Sequence, residues 1–108
     1  MIQIQDGIKH IFPKDFIKLI KTENINIIDI REPYELIQLP FKLGKNIPMN
    51  LLLTRYKDLL IKEETYYILC HHGQRSYMVT EVLSEYGYDI INIVGGIDLV
   101  NRFDSVNG

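Results

Sequence analysis

The sequence holds a single cysteine, Cys70. A lone cysteine excludes an internal disulfide and a resolving thiol within the chain, so any oxidised or sulfur-loaded state of Cys70 must be discharged by another molecule. Basic charge is in no excess: 12 Lys and Arg face 14 Asp and Glu, for a formal net charge of -2 and a pI near 5.9. With no basic patch interleaved with aromatics, nucleic acid is not an expected partner. No apolar run approaches membrane-spanning length. The opening Met1-Ile2-Gln3-Ile4-Gln5-Asp6-Gly7 also lacks the basic start and continuous apolar stretch of a secretory signal. The expectation is a cytoplasmic protein without membrane contact. Repeats, low-complexity segments and linkers are missing too. With 46% hydrophobic and 24% charged residues, the 108 residues are expected to form one domain, with its core over residues 8–103 and a loose tail at 104–108.

What is present concentrates in Tyr66-Tyr67-Ile68-Leu69-Cys70-His71-His72-Gly73-Gln74-Arg75-Ser76, where a short apolar run ends on the cysteine and a polar segment follows. Beyond it Tyr77, Val79, Val82, Leu83 and Tyr86 recur at helical spacing, and Gly87 stands where a left-handed cap is expected. The pattern predicts strand, tight loop and helix, with Cys70 at the carboxyl end of a buried strand, where open α/β sheets bind ligands. A thiol is a useful nucleophile as its thiolate, and a helix N-terminus with a nearby cation favours that form. Arg75 supplies the fixed charge, and Gly73 lets the loop turn its N–H groups inward as an anion nest. Ser76 has two readings, a hydroxyl that caps the helix or one that bonds the sulfur. An inert core cysteine is the plain alternative, but apolar neighbours would then be expected on both sides.

Elsewhere, Ile8-Lys9-His10-Ile11 reads as a short edge strand, and Pro13 suits the first turn of a helix with an apolar stripe of Phe16, Ile17, Leu19 and Ile20. His10 reads as a surface or strand-face histidine, with nothing near it in sequence to complete a site. Ile27, Ile28 and Ile30 mark a buried strand at whose end Asp29 and Arg31 must satisfy each other or the neighbouring loops. Ile47 suggests a short strand, Leu51 to Leu60 a helix, and Tyr88 to Val94 a turn and strand. Gly95-Gly96 reads as a tight turn before a short helix through Leu99 and Phe103. Strands alternating with helices predict a parallel α/β sheet covered on both faces.

The strand ending in Cys70, Gly73, Arg75 and Ser76 resembles, position by position, the Cys-x-x-Gly-x-Arg-Ser loop of the rhodanese family of sulfurtransferases. Ile28-Asp29-Ile30-Arg31-Glu32-Pro33-Tyr34-Glu35 resembles that family's Asp-Val-Arg-Glu segment, and Asn46-Ile47-Pro48, Gly87-Tyr88 and Gly95-Gly96 match further positions. The resemblance runs from about Ile8 to Phe103. It implies a rhodanese-like α/β fold, a central mostly parallel sheet of about five strands with helices on both faces. It also implies a thiosulfate:cyanide-class sulfurtransferase in which Cys70 takes a sulfane sulfur from thiosulfate or a persulfide donor. The sulfur is then passed to a thiol, a protein cysteine or cyanide. The intermediate is a persulfide on Cys70, held by the amides of His71, His72, Gly73, Gln74, Arg75 and Ser76, with Asp29 and Arg31 bracing the site. No cofactor or metal is implied. The chain departs from the family at Gln38, where a histidine is usual, in the longer spacing from Pro40 to Asn46, and at Val100, the position of a tryptophan. Different pocket lining is expected there.

Three rival chemistries use similar residues. Cysteine-dependent phosphatases and arsenate reductases resemble Cys-x5-Arg, whereas four residues separate Cys70 from Arg75. A metal site at Cys70-His71-His72 would need adjacent residues to converge on one ion, so the two histidines are instead expected to shape the loop and adjust its charge. The third is a non-catalytic rhodanese-like interaction module; such modules often lack the cysteine that this chain keeps.

Overall fold

The computed structural model describes residues 1–107. The chain opens with a hairpin. β1 (Ile2–Gln5) and β2 (Ile8–Ile11) pair antiparallel, with Ile2 opposite Ile11. Asp6 and Gly7 between them have φ of 53° and 78°, the doubly positive turn that matches strand twist. α1 (Pro13–Thr22) starts on its proline, where a missing N–H costs no helix bond. Then follow β3 (Asn26–Asp29), α2 (Pro33–Gln38), β4 (Lys45–Asn46), α3 (Met49–Leu59), β5 (Thr65–Leu69), α4 (Gln74–Glu85), β6 (Asp89–Ile93) and α5 (Gly96–Asn107). The strand order is β1-β2-β6-β5-β3-β4, and every pair except the hairpin is parallel.

The sheet is thus mostly parallel, as expected, with six strands. The sixth is β1, and it makes β2 an inner strand rather than the edge. All four β1 residues are exposed, so no buried face announces the strand. The strand anticipated at Ile47 lies just before it; Ile47 extends the pairing by donating its N–H to Asp29 O at 3.0 Å.

Alternation of side chains splits the buried residues into two layers. Ile28, Ile30, Ile68 and Ile90 pack under α3 and α4 with Leu52, Val79 and Leu83. Ile11, Leu69, Ile91 and Ile93 pack under α1 and α5 with Phe16, Ile17 and Ile97. Each such side chain contributes about 1.5–3 kcal/mol by leaving water. Val100 belongs to the second layer, whereas Cys70 belongs to the first. Gln38 is exposed at the end of α2. The backbone of α5 ends at Asn107; the tail expected to be loose, 104–108, has no described side chains beyond Asp104, and Gly108 lies outside the described residues. Among the described residues no helix is long and apolar enough to cross a membrane.

Candidate active site

Cys70 follows β5 directly and is buried. Its sulfur accepts the N–H of Gly73 at 3.0 Å and that of Ser76 at 3.3 Å. Gly73 is the N-cap of α4 with φ of 100°, and a Cβ there would stand 2.8 Å from the nitrogen of Gly95. Only glycine allows that turn and that approach. Gly95 and Gly96, at φ of 77° and 65°, bring the start of α5 against the loop. Ile97 N–H then donates to Cys70 O at 2.8 Å and Asp98 N–H to His71 O at 3.1 Å. The carbonyls of Cys70 and His71 are taken by α5 while two of the loop's N–H groups turn to the sulfur. The positive end of α4 adds to this donor field. Of the amides from His71 to Ser76 expected to serve the sulfur, Gly73 and Ser76 do so by hydrogen bond.

Ser76 is the third residue of α4 rather than its cap, which decides between its two readings. The Cys70 thiol donates to Ser76 Oγ at 3.3 Å, and Ser76 Oγ donates to Asn92 Oδ1 at 2.6 Å. Asn92 Nδ2 lies 3.1 Å from His10 Nδ1. His10 and Asn92 are register partners on β2 and β6, so their side chains share the α4 face of the sheet. His10 is a buried strand-face residue, and its neighbours come from strands distant in sequence.

Arg75 departs from expectation. Its guanidinium makes a two-pronged pair with Glu35, Nη1 to Oε2 at 2.8 Å and Nη2 to Oε1 at 2.7 Å, so its charge is largely met by a carboxylate before it reaches the sulfur. The Arg75 hydrogen bonds hold the Glu35 carboxyl at about 2, well below its usual 4.5, and Glu35 in turn raises Arg75. Glu35 is placed by a capping box in which its carboxylate accepts the Glu32 N–H at 2.8 Å. Arg31 anchors the same helix: it grips Asp29 through Nε at 3.0 Å and Nη2 at 2.8 Å, and donates from Nη1 to Leu39 O at 2.8 Å. Asn46 Nδ2 bonds the carbonyls of Asp29 and Arg31, each at 2.8 Å. Asp29 and Arg31 are both fully buried, and among the described residues neither is hydrogen-bonded to the sulfur.

His71 and His72 stack with ring centroids 3.9 Å apart. His71 faces Glu35 at 4.0 Å and His72 faces Asp98 at 3.8 Å. Among the described residues no three His, Cys, Asp or Glu side chains gather as metal ligands. A cleft of about 440 Å³ opens beside the loop, its wall including His10, His72, Gly73, Gln74, Tyr77 and Asn92. Glu35, Asn92 and His10 were not anticipated as site residues. The signal for the last two was a polar residue inside an apolar strand, His10 beside Ile11 and Asn92 between Ile91 and Ile93, where burial demands a partner.

Residues 12–102 match the model of the rhodanese-like domain. A sulfurtransferase of Allochromatium vinosum is 33% identical over 81 residues, covering 74% of this chain and 75% of that protein. The crystal structure of a rhodanese-related protein from Thermoplasma volcanium is similar with a TM-score of 0.77 at 33% identity, over 87% of this chain and 91% of the other. That of a rhodanese-like domain protein from Staphylococcus aureus has a TM-score of 0.74 at 30% identity, over 84% and 89%. The matched stretch contains Asp29, Arg31 and the whole Cys70 loop on the same arrangement of strands, and the chain belongs to the family of rhodanese-like domains.

Proposed function

We propose that the protein is a sulfurtransferase that carries sulfane sulfur on Cys70. The observation that carries this reading is the pair of N–H groups, from Gly73 and Ser76 at the start of α4, aimed at the sulfur of the only cysteine. In the first half-reaction the Cys70 thiolate attacks the outer sulfur of thiosulfate. The donor S–S bond breaks, sulfite leaves with the bonding pair, and a Cys70 persulfide remains. Its terminal sulfur reaches about 2 Å beyond Sγ. The anionic persulfide keeps the two amide donors and the α4 dipole. In the second half-reaction cyanide or a thiolate, including a cysteine of a partner protein, attacks that terminal sulfur, and the Cys70 thiolate is the leaving group. No cofactor enters either step. Pairing of Arg75 with Glu35, and only four residues between Cys70 and Arg75, favour this reading over a phosphatase, whose arginine must turn onto the oxyanion.

Steady-state thiocyanate formation, with thiosulfate and cyanide varied together, tests the proposal. Parallel double-reciprocal lines and loss of turnover in Cys70→Ser are expected. Because its charge is already shared with Glu35, Arg75→Ala should raise KM for thiosulfate several-fold while kcat changes less. Full turnover by Cys70→Ser would overturn the reading.

A further inference from the structure

Ser76, Asn92 and His10 lie on three different elements, are each no more than 3% exposed, and form an unbroken chain from the sulfur. Nothing in the sheet requires polar side chains there, and apolar ones would pack without needing partners. The chain has a direction. Ser76 has one hydroxyl hydrogen and two acceptors in reach, Gly73 O at 3.2 Å and Asn92 Oδ1 at 2.6 Å; the shorter contact takes it, so Oγ is left to accept from the thiol. The Asn92 amide then presents Nδ2 to His10, so His10 Nδ1 accepts and the imidazole proton sits on Nε2, a buried atom with no partner.

This arrangement suits a neutral thiol. A thiolate or persulfide can only accept, and it would face a lone pair of Ser76. Relief comes from running the chain the other way: Ser76 O–H turns to the sulfur, the Asn92 amide turns so that Nδ2 donates to Ser76 Oγ, and Oδ1 accepts from His10. That reversed chain is complete only with a proton on His10 Nδ1. We propose that Ser76, Asn92 and His10 form a hydrogen-bond switch in which charge on the sulfur of Cys70 is coupled to a proton at His10 Nδ1. His10 and Asn92 are thereby positioning residues for the sulfur.

The protons balance through solvent. The thiol proton leaves to water, Nδ1 gains one from water at the cleft that His10 lines, and Nε2 gives its own up to water, so the ring changes tautomer and stays neutral. The titratable groups around His10 are Tyr77 of α4, its ring 5.5 Å away and its phenol donating to Asp6 of the β1–β2 turn, and His72 across the cleft. β1 presents Gln5 and β6 presents Asn92, and neither titrates.

The persulfide part of the switch rests on the sulfurtransferase reading; the thiolate part does not. The test is a long-range proton–nitrogen NMR correlation of the histidine rings in the full chain, before and after thiosulfate, with intact mass taken on the same sample. The reduced protein should show His10 protonated at Nε2, and the loaded protein should show a proton at Nδ1. Thiosulfate should change nothing in Cys70→Ser. Loaded protein with an unchanged His10 pattern overturns the switch. The second measurement is the alkylation rate of Cys70 by iodoacetamide against pH, which needs no sulfur donor. His10→Phe should move its midpoint up by about one pH unit, a tenfold change in thiolate at a given pH. His10→Gln, whose amide can donate or accept, should move it back. An unmoved midpoint in folded His10→Phe overturns the switch. If mass shows no loading but the midpoint moves, the switch stands and the sulfurtransferase reading falls.

Discussion

Gly73 carries two constraints on one atom, a φ of 100° and a backbone 2.8 Å from where a Cβ would sit. Gly73→Ala should therefore cost about 1–3 kcal/mol in urea unfolding and should also displace the N–H that bonds the sulfur. Sulfur loading followed by mass should fall with it, while a variant that loses stability but loads normally would separate the turn from the cradle. Ser76→Ala is a different kind of change. The backbone N–H remains on the sulfur, but Asn92 Oδ1 loses its 2.6 Å donor inside the core. A buried polar atom left unpaired costs about 1–3 kcal/mol, and urea unfolding of Ser76→Ala should show a loss in that range.

α2 is the element most dependent on side-chain ties, since it has six residues and buries none of them. Arg31 holds its carboxyl end and Asp29 holds Arg31. Asp29→Ala leaves a buried guanidinium without its carboxylate, for an expected loss of about 3–5 kcal/mol; a loss under 1 kcal/mol in urea unfolding would show that water reaches Arg31. The other tie, Glu35 to Arg75, carries a pH dependence whose sign follows from the lowered carboxyl. Glu35 titrates near 2 in the folded chain against 4.5 ordinarily, so the unfolded state binds its proton first as pH falls. Its stabilisation is whole above 4.5 and is lost between 4.5 and 2. Over that window Glu35→Gln should show a flatter fall in urea midpoint than the parent chain. Equal slopes would mean that the pair contributes nothing to stability.

At the scale of the whole molecule, the parts legible in the sequence were those contiguous along it. Cys70 to Ser76 stands as one run, so strand, loop, helix and nucleophile could be read together, and the alternation of apolar runs with helical spacing announced the parallel sheet. What escaped was assembled across the chain. His10 and Asn92 stand 82 positions apart and meet only because β2 and β6 pair, and Glu35 and Arg75 stand 40 apart and meet only because Arg31 docks α2. β1 shows only in the Ile-Gln alternation before Asp6-Gly7, and because all its residues are exposed no buried face sets it apart. Covalent residence of sulfur on Cys70 between two half-reactions can be read from the intact mass of reduced protein after thiosulfate and again after cyanide. One sulfur atom should be gained, not gained in Cys70→Ser, and removed by cyanide with thiocyanate appearing in equal amount. No gain from thiosulfate or from a second sulfane donor would contradict it.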